Sequence, residues 1–148
     1  MRSATKPAFD TTILVRDACL CLHVQRAARA LARRFDDALR PIRLTNGQFS
    51  LMMSLNRPEP PDMGAVASLL GMDRTTLTAA LKPLYRRRLL KIAVDPADRR
   101  SHILTLTPKG RRLLTSAVPI WKKTHAAVEA LLPSGEPDRF RKNLCSVS

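Results

Sequence analysis

Residues 63–82, MGAVASLLGMDRTTLTAALK, restrict the fold more than any other stretch of this chain. Ala67 falls where two short helices cross closely, so a larger side chain would push them apart. Gly71 follows four residues later, where the first helix must stop in a left-handed turn that glycine adopts at little cost. Leu77 is the apolar pin of the second helix, and Val66, Leu70, Met72 and Ala80 fill the remaining inward positions. Asp73 stands where it caps the second helix by accepting from the free amides of the first turn. These independent positions agree on a helix-turn-helix, a motif that lays its second helix in a DNA major groove.

The flanking sequence extends this unit. Residues 1–11 have no clear period and read as a loose arm. From Thr12 to Leu39, Leu14, Val15, Ala18, Leu22, Leu31 and Phe35 recur at helical spacing, with arginines at 26, 29, 33, 34 and 40 filling much of the remainder. This predicts one long amphipathic helix, ended by Pro41. Thr45 starts a second helix through Leu55, with Phe49, Met52 and Met53 as core residues, and Arg57–Pro61 is a connector. Helices follow at about 62–70 and 74–88, the latter bent at Pro83. Ile92–Val94 and His102–Leu106 flank the charged run Asp95–Ser101, the pattern of a β-hairpin wing. Thr107 caps the next helix with Pro108 at its first position. That helix runs to about Leu132 with a bend at Pro119, and a short helix near 138–145 closes the chain.

The expected class is therefore mainly α (α+β), a single domain over residues 1–148. A winged helix-turn-helix at about 45–107 sits between long N- and C-terminal helices at about 12–40 and 108–145. The terminal helices are longer and more apolar than a winged helix alone requires. A two-fold homodimer covers such surface and presents two recognition helices to a palindromic operator in double-stranded DNA.

Charge points to the same partner. The 148 residues carry a formal charge of +14, which attracts phosphate backbones and releases their counterions. From Asp73 to Arg112 there are eleven Lys or Arg against three Asp, so the excess surrounds the helix-turn-helix. A basic run without the motif reads as a solvated face. An architectural or RNA-binding protein acting through charge alone is the rival, and it predicts binding without sequence preference.

Other classes find little support. Arg2 and Lys6 are followed by Pro7 and Asp10, which interrupt any apolar stretch, so no secretory signal is expected. No segment approaches the roughly 20 apolar residues of a membrane span. Three cysteines, at 19, 21 and 145, suit reduced thiols in a bacterial-type cytoplasm better than a disulfide scaffold. No nucleophile–base constellation, phosphate loop or carboxylate pair suggests an enzyme, and no cofactor or metal is expected.

The run Asp95–Gly110, DPADRRSHILTLTPKG, resembles the wing signature of the MarR (multiple antibiotic resistance) regulators, in which D-R-R precedes a strand ending in L-T-x-x-G. Leu81–Leu90, LKPLYRRRLL, is similar to the end of that family's recognition helix. The resemblance covers about residues 12–145. It implies a triangular homodimer built on the terminal helices that represses or activates nearby genes. Ala97 stands where the family wing often has another basic residue, which implies weaker wing contacts.

On a helical wheel, Leu81 and Leu84 share the core side of Leu77, while Thr75, Ala79, Lys82 and Arg86 project oppositely and Thr78 lies on the flank. Thr75, Thr78 and Ala79 suit base edges, through short hydroxyls and a methyl group. Arg74, Lys82 and Arg86 suit phosphates, with Arg74 also within reach of guanine. Thr76 belongs to the same candidate surface. Arg99 and Arg100 are adjacent and cannot point the same way on extended chain, so one can enter the minor groove while the other pairs with Asp98 or Asp95. The resemblance favours Asp98 as the wing brace and Arg100 as the groove contact, with Arg99 close behind.

Two kinds of signal are open. Family members often bind aromatic acids or related amphiphiles between the dimer helices and the winged domain, and Arg16, His23, Phe49, Met53 and Trp121 are candidates to line such a site for a small aromatic effector. Alternatively, some branches sense oxidants through a cysteine early in the first helix. Cys19 or Cys21 would fill that role, with Cys145 as a resolving partner. Cys19 and His23 share a helix face while Cys21 points away, so they form no three-ligand metal site.

Overall fold

The computed structural model describes residues 6–148. It contains seven helices and one two-stranded sheet among these residues: α1 (Phe9–Ala18), α2 (Leu20–Leu39), α3 (Asn46–Ser54), α4 (Met63–Leu70), α5 (Arg74–Arg86), β1 (Leu90–Val94), β2 (His102–Leu106), α6 (Pro108–Glu129) and α7 (Glu136–Cys145). The order is that of a winged helix-turn-helix between terminal helices. Arg2 and the first half of the expected arm lie outside the described residues.

The N-terminal half departs from the single helix expected over 12–39. Helix begins at Phe9, inside the expected arm, and breaks at Cys19, whose ψ of 108° is extended. The Cys19 amide closes α1 on the Val15 carbonyl at 3.1 Å, and its Sγ accepts from the Leu22 amide at 3.4 Å as the cap of α2. A side chain that satisfies the next helix's free amide makes the interruption tolerable. Pro41 does not itself reverse the chain. It sits inside a 3-10 turn, Arg40–Ile42, and the left-handed Arg43, with φ 56°, ends the segment.

Three other starts follow side-chain chemistry already visible in the sequence. Thr45 forms a reciprocal capping box with Gln48, while Asp62 caps α4 and Asp73 caps α5. At Gly71, φ is 64°, and Met72 bonds back to the Ala67 carbonyl at 2.9 Å. The end of α5 uses the same closing geometry without glycine. Arg88 takes φ 58°, its amide reaches the Tyr85 carbonyl at 2.9 Å, and the Leu89 amide reaches Leu84 at 3.0 Å. This left-handed arginine stops the recognition helix at Arg86, two residues before the expected end.

The two strands pair antiparallel, with Leu90 opposite Leu106 and Val94 opposite His102. β1 starts two residues earlier than expected because Leu90 and Leu106 both enter the core. That core is continuous. Leu39, Met52, Val66, Leu77, Leu84 and Leu104 are all fully buried, each removing apolar surface from water. Leu51, Leu81, Leu89, Leu90 and Ala117 extend it across the winged unit and α6. Met53, expected in this core, is instead partly exposed at the edge of α3.

α6 is locked to the winged unit at its first turn. The Thr107 amide donates to the Leu89 carbonyl at 3.0 Å, its hydroxyl donates to the Arg88 carbonyl at 2.7 Å, and that hydroxyl accepts from the Gly110 amide at 3.0 Å. Only a residue without Cβ fits at 110, since a Cβ there would lie 2.0 Å from the Leu89 oxygen. α6 also packs along α2 and α3. The same helix therefore touches the DNA-facing half and the terminal helices. α6 ends at Glu129, and tight turns at Leu131 and Leu132 lead to Pro133.

Candidate nucleic-acid interface

Recognition helix α5 is held by one face. Leu77, Leu81 and Leu84 are buried, whereas Arg74, Thr75, Thr78, Ala79, Lys82 and Arg86 are exposed. At about 100° per residue, Thr75, Ala79 and Arg86 form one outward stripe. Thr78, Lys82 and Tyr85 form a second stripe on the side nearer the wing. Asp73 anchors the first turn: its carboxylate accepts from the Thr76 amide at 2.7 Å and from the Thr76 hydroxyl at 3.0 Å. Those bonds, the amide first, hold the Asp73 carboxyl below the usual carboxylate range.

The three threonines therefore differ. The Thr76 hydroxyl proton is committed to the Asp73 cap, although the side chain stays exposed. The Thr78 hydroxyl donates to the Arg74 carbonyl at 2.8 Å, leaving its lone pairs and methyl group for a partner. Thr75 keeps an exposed hydroxyl with no side-chain hydrogen bond among the described residues. Of the three, it alone keeps its hydroxyl proton uncommitted within the described residues.

The wing is braced differently from the expected ion pair. Asp98 accepts from the Arg100 main-chain amide at 2.9 Å, not from either guanidinium. Asp95 accepts from the Ala97 amide at 2.8 Å, and its own amide donates to Ser101. Short carboxylates satisfy nearby amides in a tight loop more readily than they hold a long, solvated arginine. Arg99 and Arg100 are both exposed. Among the described residues, none of the eleven basic side chains from Arg74 to Arg112 has a carboxylate oxygen within 4.0 Å. Two of them work internally: Arg87 donates to the Arg43 carbonyl and Lys109 to the Arg87 carbonyl. The others offer positive charge without a protein counter-ion.

The expected effector residues divide between two places. Phe49, Met53 and Trp121 line one cleft of about 500 Å³ with Leu69, Val118 and Lys122. Trp121 stacks between Phe49, at 6.1 Å between ring centroids, and His125, at 4.6 Å. Arg16 does not line this cleft. It is exposed and paired with Asp17 at 2.6 Å, which raises the guanidinium and lowers the carboxyl. His23 faces another groove, with Arg26 and Arg33 on α2. Lys122 and His125 are absent from the sequence expectation, although the i, i+4 spacing of His125 to Trp121 marks one helix face. Cys19 is half-buried, Cys21 and Cys145 are exposed, and all three are free thiols.

A braced helix backed by leucines, a two-stranded wing and uncompensated cations around both define a winged-helix protein. The sequence profile of the MarR family matches residues 44–102. The M. tuberculosis transcriptional regulator MosR, in complex with DNA, superposes with a TM-score of 0.79 at 36% identity, covering 87% of this chain and 92% of that one. BpsR of Bordetella bronchiseptica, whose DNA binding is regulated by 6-hydroxynicotinic acid, gives a TM-score of 0.75 at 26% identity, covering 86% and 97%. The regulator TtmR of Methylorubrum extorquens is 34% identical over 97 residues, 66% of this chain and 50% of that protein. The matched stretches span about half the length of the curated relatives. The chain belongs to the MarR family.

Proposed function

We infer that this protein is a homodimeric, sequence-specific, DNA-binding transcription regulator, a repressor acting in the cytoplasm. The observation that carries the reading is the two-sided character of α5. Its buried leucines fix the helix, while Arg74, Thr75, Thr78, Ala79, Lys82 and Arg86 face outward beside a wing carrying free Arg99 and Arg100. Thr75, Thr78 and Ala79 read base edges, and the cations fix register on the phosphates. MosR in its DNA complex has the same architecture. No described helix is long and apolar enough to cross a membrane.

Dimerisation is supported by where apolar surface stays exposed. Phe9, Leu14, Val15 and Leu20 on α1 and α2, with Leu131, Phe140 and Val147 near the C-terminus, lie uncovered on the terminal segments. A second copy covers that surface and sets two recognition helices on a palindromic site. The signal is a small aromatic effector held in the Phe49–Trp121 cleft, where the stacked rings suit a planar ring and Lys122 suits an acidic group. α6 links this cleft to the Leu89–Gly110 lock at the base of the wing. Such an effector acts by binding the DNA-incompatible geometry more tightly. A thiol switch is the second reading, favoured by the Cys19 sulfur standing at the break between α1 and α2.

Mobility shifts on the DNA upstream of the protein's own gene test the reading. Retention of that duplex against excess random duplex at moderate salt is expected. Equal binding to both, with a steep salt dependence, would transfer the protein to the charge-driven architectural class.

A further inference from the structure

Between the recognition helix and the wing lies a cleft of about 300 Å³. Met63, Leu81 and Ile92 give it an apolar floor, while Thr78, Lys82, Tyr85 and His102 supply its polar groups. Lys82 and Thr78 already belong to the proposed interface. Tyr85 and His102 do not, yet Tyr85 is 56% exposed and His102 is exposed at the first position of β2.

We propose that Tyr85 and His102 grip the DNA sugar-phosphate strand that runs between recognition helix and wing, and that His102 makes this grip proton-dependent. The proposal rests on the DNA-binding reading above. The major and minor grooves of a duplex are separated by a phosphodiester strand. A protein with α5 in the major groove and the wing tip in the adjacent minor groove must pass that strand between the two elements, which is where the cleft lies. Deoxyribose carbons suit the apolar floor. The Tyr85 hydroxyl is a neutral donor for a phosphate oxygen, and Lys82 adds a fixed charge.

An imidazole offers one N–H donor when neutral, and two donors with a positive charge when protonated. Phosphate approach favours the protonated form, so binding takes up a proton and affinity rises as pH falls. The groups that face His102 permit this. From α5 they are Lys82 and Tyr85, and from α4 Met63; the α4 cap Asp62 bridges Ile103, next to His102, through its main chain, while its carboxylate accepts from the Ala65 amide at 2.7 Å. Across the ladder stands Val94. Among the described residues, no carboxylate oxygen lies within 4.0 Å of the His102 ring to hold its proton in the free protein.

The experiment uses the full chain and the duplex it enriches from a randomised library, with anisotropy titrations at about pH 6 and about pH 8, either side of the histidine range. Wild type should bind about three- to tenfold tighter at the lower pH, the scale of one charge-assisted hydrogen bond at a solvated site. His102→Gln should lose that gain. His102→Lys should bind at both pH values as wild type does at the lower one. Tyr85→Phe should weaken binding several-fold on the enriched duplex and on a scrambled one alike, because phosphate contacts carry no base information. Circular dichroism checks that each variant folds. A pH response that survives in His102→Gln, wild-type affinity in Tyr85→Phe, or a changed base preference would overturn the proposal while leaving DNA binding intact. A wild-type chain that enriches no duplex would overturn the DNA reading itself, and this inference with it.

Discussion

Replacing Gly110 by alanine would set a methyl carbon 2.0 Å from the Leu89 carbonyl oxygen and 3.0 Å from its carbon. Both are main-chain atoms, so no rotamer change relieves the clash. Restoring ordinary contact requires α6 to retreat by about 1.4 Å. That displacement would strain the Thr107 bonds to Leu89 and Arg88 and the cap on the Gly110 amide. Overpacking of this kind costs about 1–3 kcal/mol, and a lost cap about 1 kcal/mol more. Against this, alanine in a helix gains about 1 kcal/mol over glycine. The net destabilisation should be about 2 kcal/mol, or a melting temperature lowered by about 6 °C for a chain of this size. Thermal unfolding by far-UV circular dichroism, at one protein concentration because a dimer's stability depends on it, measures the change. Gly47→Ala is the matched control, because a Cβ there meets nothing within 4 Å, and it should melt at or slightly above wild type. A Gly110→Ala protein as stable as Gly47→Ala would refute the close approach of α6 to Leu89.

Asp73→Asn keeps a capping side chain but removes the charge. Because the folded protein holds the Asp73 carboxyl low, its stabilisation is present above the ordinary carboxylate range and is lost as pH falls through the lowered value. The stability advantage of wild type over Asp73→Asn should therefore shrink in acid, and a difference constant with pH would contradict the charged cap. Thr75→Ala should alter which bases an enriched site prefers, by about 1–3 kcal/mol at the lost contact. Arg100→Ala should weaken binding with the order of preferred sites unchanged, and selection from a random library separates the two. Mild peroxide should leave DNA binding intact. Release by peroxide that disappears when Cys19, Cys21 and Cys145 are all serine would replace effector gating with a reversible thiol switch.

The helix-turn-helix, the caps at Thr45, Asp73 and Thr107, and the wing strands were legible in the sequence because each rests on residues three or four apart, or on local alternation. Gly71 and Leu77 declare their roles for the same reason: a left-handed stop and a buried pin need only their immediate neighbours. Asp73 could be assigned to the free amides of the next turn before any tertiary contact was known.

What the sequence by itself determined was thus the motif, its exposed face and the surplus of charge around it. Tertiary structure alone decided features that depend on which distant groups meet. Arg88 takes a left-handed conformation with no local mark because Leu89 must turn into the core. Gly110 is required by the carbonyl of Leu89, twenty-one residues earlier. Phe49 stacks on Trp121 only because α3 packs on α6, and Arg16 lies outside that cleft, whose walls come from α3, α4 and α6. Tyr85 and His102 share a cleft only once strand pairing brings the wing beside α5. Spacing along a chain determines which side chains share a face, but the packing of faces against one another determines which chemistry meets.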